Sequence, residues 1–282
     1  MKDRIVVVTG ANIGMGKVTA LELAKKGAHI VMVCRNKERG ETAKNDIIKI
    51  SGNKNVDLLI ADLSLQKSVK ELAEKINTTY PRVDVLVNNA GLALTNYSET
   101  KDGIETTFAT NVLSMYMLSI LLADSLKKSD AGRIVNVASS THTGAKMNWD
   151  DIGYKQNYKL FSSYNQSKLC NIVLTYELAK KLKGTKITVN TLNPGPVKTE
   201  LARDMGAMFK FIGGLFFLTP EKASETAIYL TSSQEVNGVT GKYFAKNKPI
   251  ASSKTSTDAE VGKKLWTLCA KMTNTDLQMS AA

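Results

Sequence analysis

Tyr164 and Lys168 stand four residues apart at the start of a helical pattern, Tyr164 to Lys183, with apolar residues at Leu169, Ile172, Val173, Tyr176 and Leu178. Four residues is close to one helical turn, so the two side chains share a face. A free phenol has a pKa of about 10 and is a poor acid or base near neutrality. A neighbouring ammonium favours the phenolate and pulls that value down. Such a pair can hand a proton to an alkoxide, or take one from an alcohol, near neutral pH. The same spacing also arises as a half-buried tyrosine beside a solvated lysine, so the rest of the chain has to decide.

A second chemical signal lies near the start. Thr9-Gly10-Ala11-Asn12-Ile13-Gly14-Met15-Gly16 follows the β-branched run Arg4 to Thr9 and precedes a helical pattern. Glycines let a backbone approach a pyrophosphate, and a helix N-terminus favours its charge. A plain tight turn would use the same residues, but the position directly after the first buried strand favours dinucleotide binding by Gly10, Asn12, Ile13, Gly14, Met15 and Gly16. At the end of the second strand stands Cys34-Arg35-Asn36. An acid usually sits here to hold ribose hydroxyls, whereas an arginine accommodates a 2′-phosphate. A guanidinium binds phosphate by paired, charge-assisted hydrogen bonds. Arg35 and Asn36 therefore point to NADP(H) rather than NAD(H), against the plainer view of a solvated arginine at a strand end.

The elements that must hold these residues alternate. Strand patterns at Arg4 to Thr9, Ala28 to Cys34, Val56 to Ala61, Val83 to Val87, Gly132 to Val137, Lys186 to Leu192 and Gly241 to Ala245 are separated by helical ones. These include a long helix from about Gly103 to Lys127. Strand-helix alternation implies parallel βαβ units with helices on both faces. The expected fold is α/β: one Rossmann-type, doubly wound, seven-stranded parallel sheet over residues 1–282. Thr219 and Pro220 read as the cap and first residue of a late helix. One further helix, Lys254 to Met272, sits on a polar tail spanning about 246–282.

Composition narrows the classes. With 282 residues the chain is long enough for a full core. The formal charge of +12 favours acidic ligands. The lysines are scattered without an arginine-rich or aromatic-basic run, so nucleic acid is not expected as a partner. Cys34, Cys170 and Cys269 are an odd, widely spaced set, which suggests reduced thiols. His29 and His142 are too few for a metal cluster. Neither a signal peptide nor a transmembrane anchor is legible. These readings together suggest a cytoplasmic location.

Taken in order, Thr9-Gly10-x-x-x-Gly14-x-Gly16, Asp62-Leu63, Asn88-Asn89-Ala90-Gly91, Asn111, Ser139, Tyr164-x-x-x-Lys168 and Pro194-Gly195 resemble the short-chain dehydrogenase/reductase superfamily over nearly the whole chain. Arg133 to Val137, the long insert before Tyr164 and Lys264-Leu265-Trp266 look like its retinol dehydrogenase branch. The resemblance implies an oxidoreductase acting on a small-molecule carbonyl or alcohol, mostly lipophilic in that branch, with NADP(H). It implies Ser139 as hydrogen-bond donor to the substrate oxygen, with Ser140 the neighbour to be told apart from it. It further implies Tyr164 as acid/base, Lys168 as the group that lowers the tyrosine pKa and holds the nicotinamide ribose, and Asn111 as the holder of a water linking Lys168 to solvent. By the same resemblance Asp62 and Leu63 lie at the adenine, Asn89, Ala90 and Gly91 along the cofactor, and Pro194, Gly195, Val197 and Thr199 at the nicotinamide. A homodimer through the Asn111 and Tyr164 helices is the arrangement it implies.

Two other classes remain to be weighed. A non-catalytic NADP(H)-binding regulator would need the cofactor site but not Ser139, Tyr164 and Lys168. Binding of nucleic acid through the positive charge would show steep salt dependence. Residues 198–218 end in an apolar, glycine-containing run, which suggests a lid over a lipophilic substrate.

Overall fold

The computed structural model describes residues 1–196 and 218–277. Val197, Thr199 and the expected lid, apart from Leu218, lie outside the described residues.

Side-chain alternation along each central strand builds two cores. In β1 (Ile5–Thr9), Ile5 and Val7 face one apolar cluster while Val6 and Val8 face another. In β2 (His29–Cys34), Val31 and Val33 join the first while Ile30, Met32 and Cys34 join the second. A strand apolar on both faces has to lie inside a sheet covered on both sides. The sheet order is β3-β2-β1-β4-β5-β6-β7-β8, with β3 (Val56–Ile60), β4 (Val85–Asn88), β5 (Arg133–Val137), β6 (Thr188–Leu192), β7 (Lys242–Ala245) and β8 (Lys248–Ile250). Pairings from β3 through β7 are parallel, and β8 is antiparallel to β7. The eighth strand corrects the expected count of seven. It is a short, exposed edge hairpin whose alternation was too brief to read.

The helices are α1 (Gly14–Lys25), α2 (Lys37–Ser51), α3 (Gln66–Thr79), α4 (Thr106–Phe108), α5 (Ser114–Leu121), α6 (Ala123–Lys127), α7 (Leu160–Lys181), α8 (Pro220–Ser232), α9 (Lys254–Thr257) and α10 (Ala259–Thr273). Two of these differ from expectation. The long helix starts at Thr106, because the Glu105 carboxylate caps the main-chain N–H groups of Thr107 and Phe108 at 2.8 and 2.7 Å. It then passes through a π-helical turn, Ala109–Leu113, before α5. The tail holds two helices, since Asp258 ends α9 and caps α10 by accepting from Glu260 and Val261. Nor is the tail only polar: Leu265, Trp266 and Cys269 are buried, and Trp266 packs edge-on against Tyr116 of α5. Thr219 does cap α8, with Pro220 at its start. All three cysteines are free and buried. Among the described residues no helix is long and apolar enough to cross a membrane.

The end of the central strands opposite the site is locked by one buried carboxylate. Asp84, just before β4, accepts from the Ile5 N–H at 2.8 Å, the Ser129 hydroxyl at 2.6 Å and the Arg82 guanidinium at 3.0 Å. It thus ties β1, β4 and the end of the α6 region together. Asp84→Ala leaves the Ile5 amide and the Ser129 hydroxyl without their acceptor, and urea denaturation should record a loss of about 3 kcal/mol. A loss below about 1 kcal/mol, the range of an exposed ion pair, would show that this carboxylate does not hold the junction.

Candidate active site

The sheet order reverses between β1 and β4, and the crevice beyond the carboxyl ends of these strands is where open α/β sheets bind ligands. Thr9 and Asn89 stitch that point together. The Thr9 hydroxyl accepts from the Asn89 and Ala90 N–H groups, each at 3.0 Å. The Asn89 amide donates to the Thr9 carbonyl at 2.8 Å and to the Gly10 carbonyl at 3.3 Å. The glycine turn folds so tightly against this stitch that a Cβ on Gly16 would lie 2.3 Å from the Gly10 oxygen and 2.4 Å from the Asn89 amide nitrogen. Gly14 has φ +56, and a Cβ there would meet nothing within 4 Å. Ile13, at the cap of α1, makes no side-chain bond to the helix, and among the described residues no side chain accepts from its first-turn N–H groups. Asn12 is partly exposed and Met15 is buried. Bare helix amides behind a glycine surface suit a diphosphate.

On the other side of the crevice, β5 and α7 deliver Ser139, Tyr164 and Lys168. Ser139 caps a short 3-10 turn, Ser140–Gly144, and its hydroxyl is near enough to the Tyr164 phenol to lower that group's pKa. Ser140 is exposed, and its main-chain N–H donates to the Asn193 side chain. The Lys168 ammonium is buried, 5.5 Å from the centre of the Tyr164 ring, and donates to the Val137 carbonyl at 3.0 Å. Burial pulls Lys168 down from 10.5 to about 8. Burial pushes Tyr164 up to about 12, with the Ser139 hydrogen bond working the other way. The lowering of the phenol's pKa expected from Lys168 is opposed by this burial. At neutral pH the phenol keeps its proton.

Asn111 sits in the π-helical turn, a distortion frequent at functional sites. Its side chain accepts from Leu92 N and donates to Leu92 O, both at 2.8 Å, and to the Ser167 hydroxyl at 3.0 Å. A Cβ on Gly91 would lie 3.4 Å from both the Asn111 oxygen and the Lys168 nitrogen, so these three residues are one cluster. Asn171, which the sequence reading missed, belongs to it. Turned to satisfy both its ends, its amide donates to the Asn111 carbonyl at 2.8 Å and the Ser167 carbonyl at 3.1 Å. Its place one turn after Lys168 was visible; its partners across the fold were not. Asn193 was also missed: its side chain accepts from Ser140 N and from Gly195 N at 3.2 and 3.0 Å, joining the Ser139 loop to Pro194 and Gly195.

The remaining residues lie outward along the sheet. Arg35 is exposed at the end of β2. Cys34 beside it is buried, and burial pushes its thiol up to about 11, so it carries no negative charge. Asn36 caps α2, accepting from Arg39 N at 2.8 Å. Asp62 follows β3 and accepts from the Ser64 N–H and hydroxyl, while Leu63 packs into the core.

The comparisons agree with this geometry. The short chain dehydrogenase family model matches residues 4–209. Retinol dehydrogenase 13 of Homo sapiens is 39% identical over 278 residues, covering 95% of this chain and 84% of that protein. An uncharacterized Mycobacterium paratuberculosis protein superposes with a TM-score of 0.82 at 29% identity, over 99% of this chain and 96% of its own. A Shigella flexneri short chain dehydrogenase complexed with NADP does so with a TM-score of 0.69 at 26% identity, over 86% and 97%. Fold and site define a dehydrogenase/reductase enzyme. The chain belongs to the short-chain dehydrogenase family, in its retinol dehydrogenase-like branch.

The Lys168 charge makes stability depend on pH in a definite sense. Its value in the fold, about 8, lies below its ordinary 10.5. The unfolded chain therefore binds more protons between these values, and stability rises with pH across that window. Below about pH 8 the cost is present in full, on the order of 3 kcal/mol. Lys168→Met should abolish turnover yet raise the unfolding free energy at pH 7 by about 1–2 kcal/mol once the lost Val137 bond is counted, and the melting temperature with it. The gain over wild type should shrink by pH 10. A Met variant less stable than wild type at pH 7 contradicts a costly buried ammonium.

Proposed function

We propose that this enzyme is an NADP(H)-dependent oxidoreductase that interconverts a lipophilic carbonyl compound and its alcohol, with Tyr164 as the acid/base. The observation that carries the reading is the gathering of the Ser139 hydroxyl, the Tyr164 phenol and the buried Lys168 ammonium at one point beside the glycine crevice. A cofactor-binding regulator needs no such arrangement.

The glycine surface and bare α1 amides fit a diphosphate, with Asn12, Ile13 and Met15 in the same turn. The exposed Arg35 and neutral Cys34 favour a 2′-phosphate at the end of β2, with Asn36 shaping the start of α2 beside them. Asp62 and Leu63 are assigned to the adenine, Asn89, Ala90 and Gly91 to the route inward, and Pro194 and Gly195 to the nicotinamide end. Val197 and Thr199 are assigned there from sequence alone. When bound, the nicotinamide supplies or accepts the hydride.

The chain's own work is proton handling and orientation. Ser139 and Tyr164 donate hydrogen bonds to the substrate oxygen, stabilising the charge that builds on it. In reduction the Tyr164 O–H bond breaks and its proton passes to that oxygen, giving the alcohol. Lys168 supplies positive charge beneath the tyrosinate so formed, held in place by Val137. Asn111 and Asn171 fix the main chain around Lys168, next to the carbonyl at which a relay water would bind. Phe161, one turn before Tyr164 on α7, is 57% exposed and offers an apolar lip to the substrate. The relatives' retinol dehydrogenase name supports a lipophilic substrate. Free, buried thiols fit a reducing, cytoplasmic setting.

NADPH consumption against aldehydes and ketones of graded size and apolarity tests the activity. Tyr164→Phe should lower kcat by about 10²-fold or more while NADPH affinity changes little; retention of most of the turnover refutes the proton-transfer role. Cys34→Asp with Arg35→Ala should shift preference toward NADH, by exchanging a phosphate partner for a ribose-hydroxyl acceptor. Measured affinities for the two cofactors decide this, and a wild-type enzyme that prefers NADH contradicts the assignment.

A further inference from the structure

His142 is buried, 1% exposed, two residues into the turn that Ser139 caps. Its Nδ1 lies 2.8 Å from the Ser139 carbonyl oxygen, which can only accept. Its Nε2 lies 3.2 Å from the Ser253 main-chain N–H, which can only donate. The two partners leave one arrangement that satisfies both: a neutral ring with its proton on Nδ1. Burial lowers the His142 pKa, in the same sense. The ring stands edge-on to Tyr243 of β7, with centres 5.1 Å apart. Tyr176 of α7 faces the same cluster and bonds to Ser252 at 2.8 Å. Ser253 is the cap of α9, the first helix of the tail.

The Ser139 main chain is thus gripped from two sides. On one side, Ala138 N donates to Leu192 O at 2.8 Å. On the other, the His142 ring takes the Ser139 carbonyl, and that ring is itself oriented by the tail. A serine that must meet a developing oxyanion tolerates little displacement, since about 1 Å of misplacement can cost 10²-fold in rate.

We propose that His142 is a positioning residue for Ser139, and that through the Ser253 N–H the C-terminal segment sets the geometry of the catalytic loop. This rests on the assignment of Ser139 to the reaction.

The experiment uses the full chain and the NADPH assay described above. An asparagine places its amide nitrogen near the position of Nδ1, whereas a glutamine reaches the position of Nε2. His142→Asn keeps the donor to Ser139, and its kcat should stay close to wild type. His142→Gln keeps an acceptor for Ser253 but loses that donor, and its kcat should fall about tenfold with KM values for substrate and NADPH unchanged. Equal activity of the two variants, or losses that follow melting temperature rather than the identity of the retained bond, overturns the proposal. Should both variants fail to fold, Ser253→Pro decides. Its backbone φ of −65 already suits proline, and the change removes the N–H without touching the buried ring. A lower kcat at unchanged melting temperature supports the proposal, and wild-type kcat overturns it. Ser139→Ala is measured alongside: if it keeps full turnover, the catalytic assignment itself fails, whatever His142 does.

Discussion

One buried ammonium sets the terms for the site. Lys168 has little water around it, and an unpaired charge in such a place is costly. Its compensation is the Val137 carbonyl at 3.0 Å, at the carboxyl end of β5. That contact requires α7 to pack closely against the sheet, with Leu169, Ile172 and Val173 buried beneath it. A Cβ on Gly91 would stand 3.4 Å from the ammonium, an ordinary contact. The same burial keeps the Tyr164 proton in place near neutrality.

Beneath the site runs a buried polar chain that fixes the strands against one another. Asn88 at the end of β4 donates to Asn136 of β5 at 2.8 Å and to Ser119 of α5 at 3.1 Å. Asn136 donates to Thr175 of α7 at 2.9 Å, and Thr191 of β6 donates back to the Asn136 carbonyl at 2.9 Å. Apolar packing alone tolerates small slips, whereas directional bonds between buried groups fix one register. Above this chain, Thr9 and Asn89 hold the glycine turn against the β4 loop. The cofactor crevice and the Ser139, Tyr164 and Lys168 group are therefore two walls of one braced opening.

The tail adds a constraint of its own. Trp266 donates to Asp276 at 2.9 Å and packs on Tyr116, whose hydroxyl donates to the Thr275 carbonyl at 2.9 Å. These contacts lay α10 over α5 and α7, the helices through which a homodimer was expected. The tail is integral to the core on that face.

The sequence by itself determined the layering of the fold, because strand and helix periods depend on local spacing. Two-sided apolar runs at Ile5 to Thr9 and Ile30 to Cys34 could only be central parallel strands. It also marked the glycine turn and the Tyr164-Lys168 face, since both are fixed by spacing along one element. Tertiary structure decided what depends on a distant partner. It set Ser139 beside Tyr164 and tied the Ser140 N–H to Asn193. It set the burial that raises the Tyr164 pKa, since the degree of burial is a property of the whole fold. It brought Asn171 to the Asn111 carbonyl and His142 between Ser139 and Ser253. It added a short edge strand and broke the long helix at Glu105 and the π-helical turn. Each depends on groups far apart in the chain or on a single cap, which local periodicity does not encode.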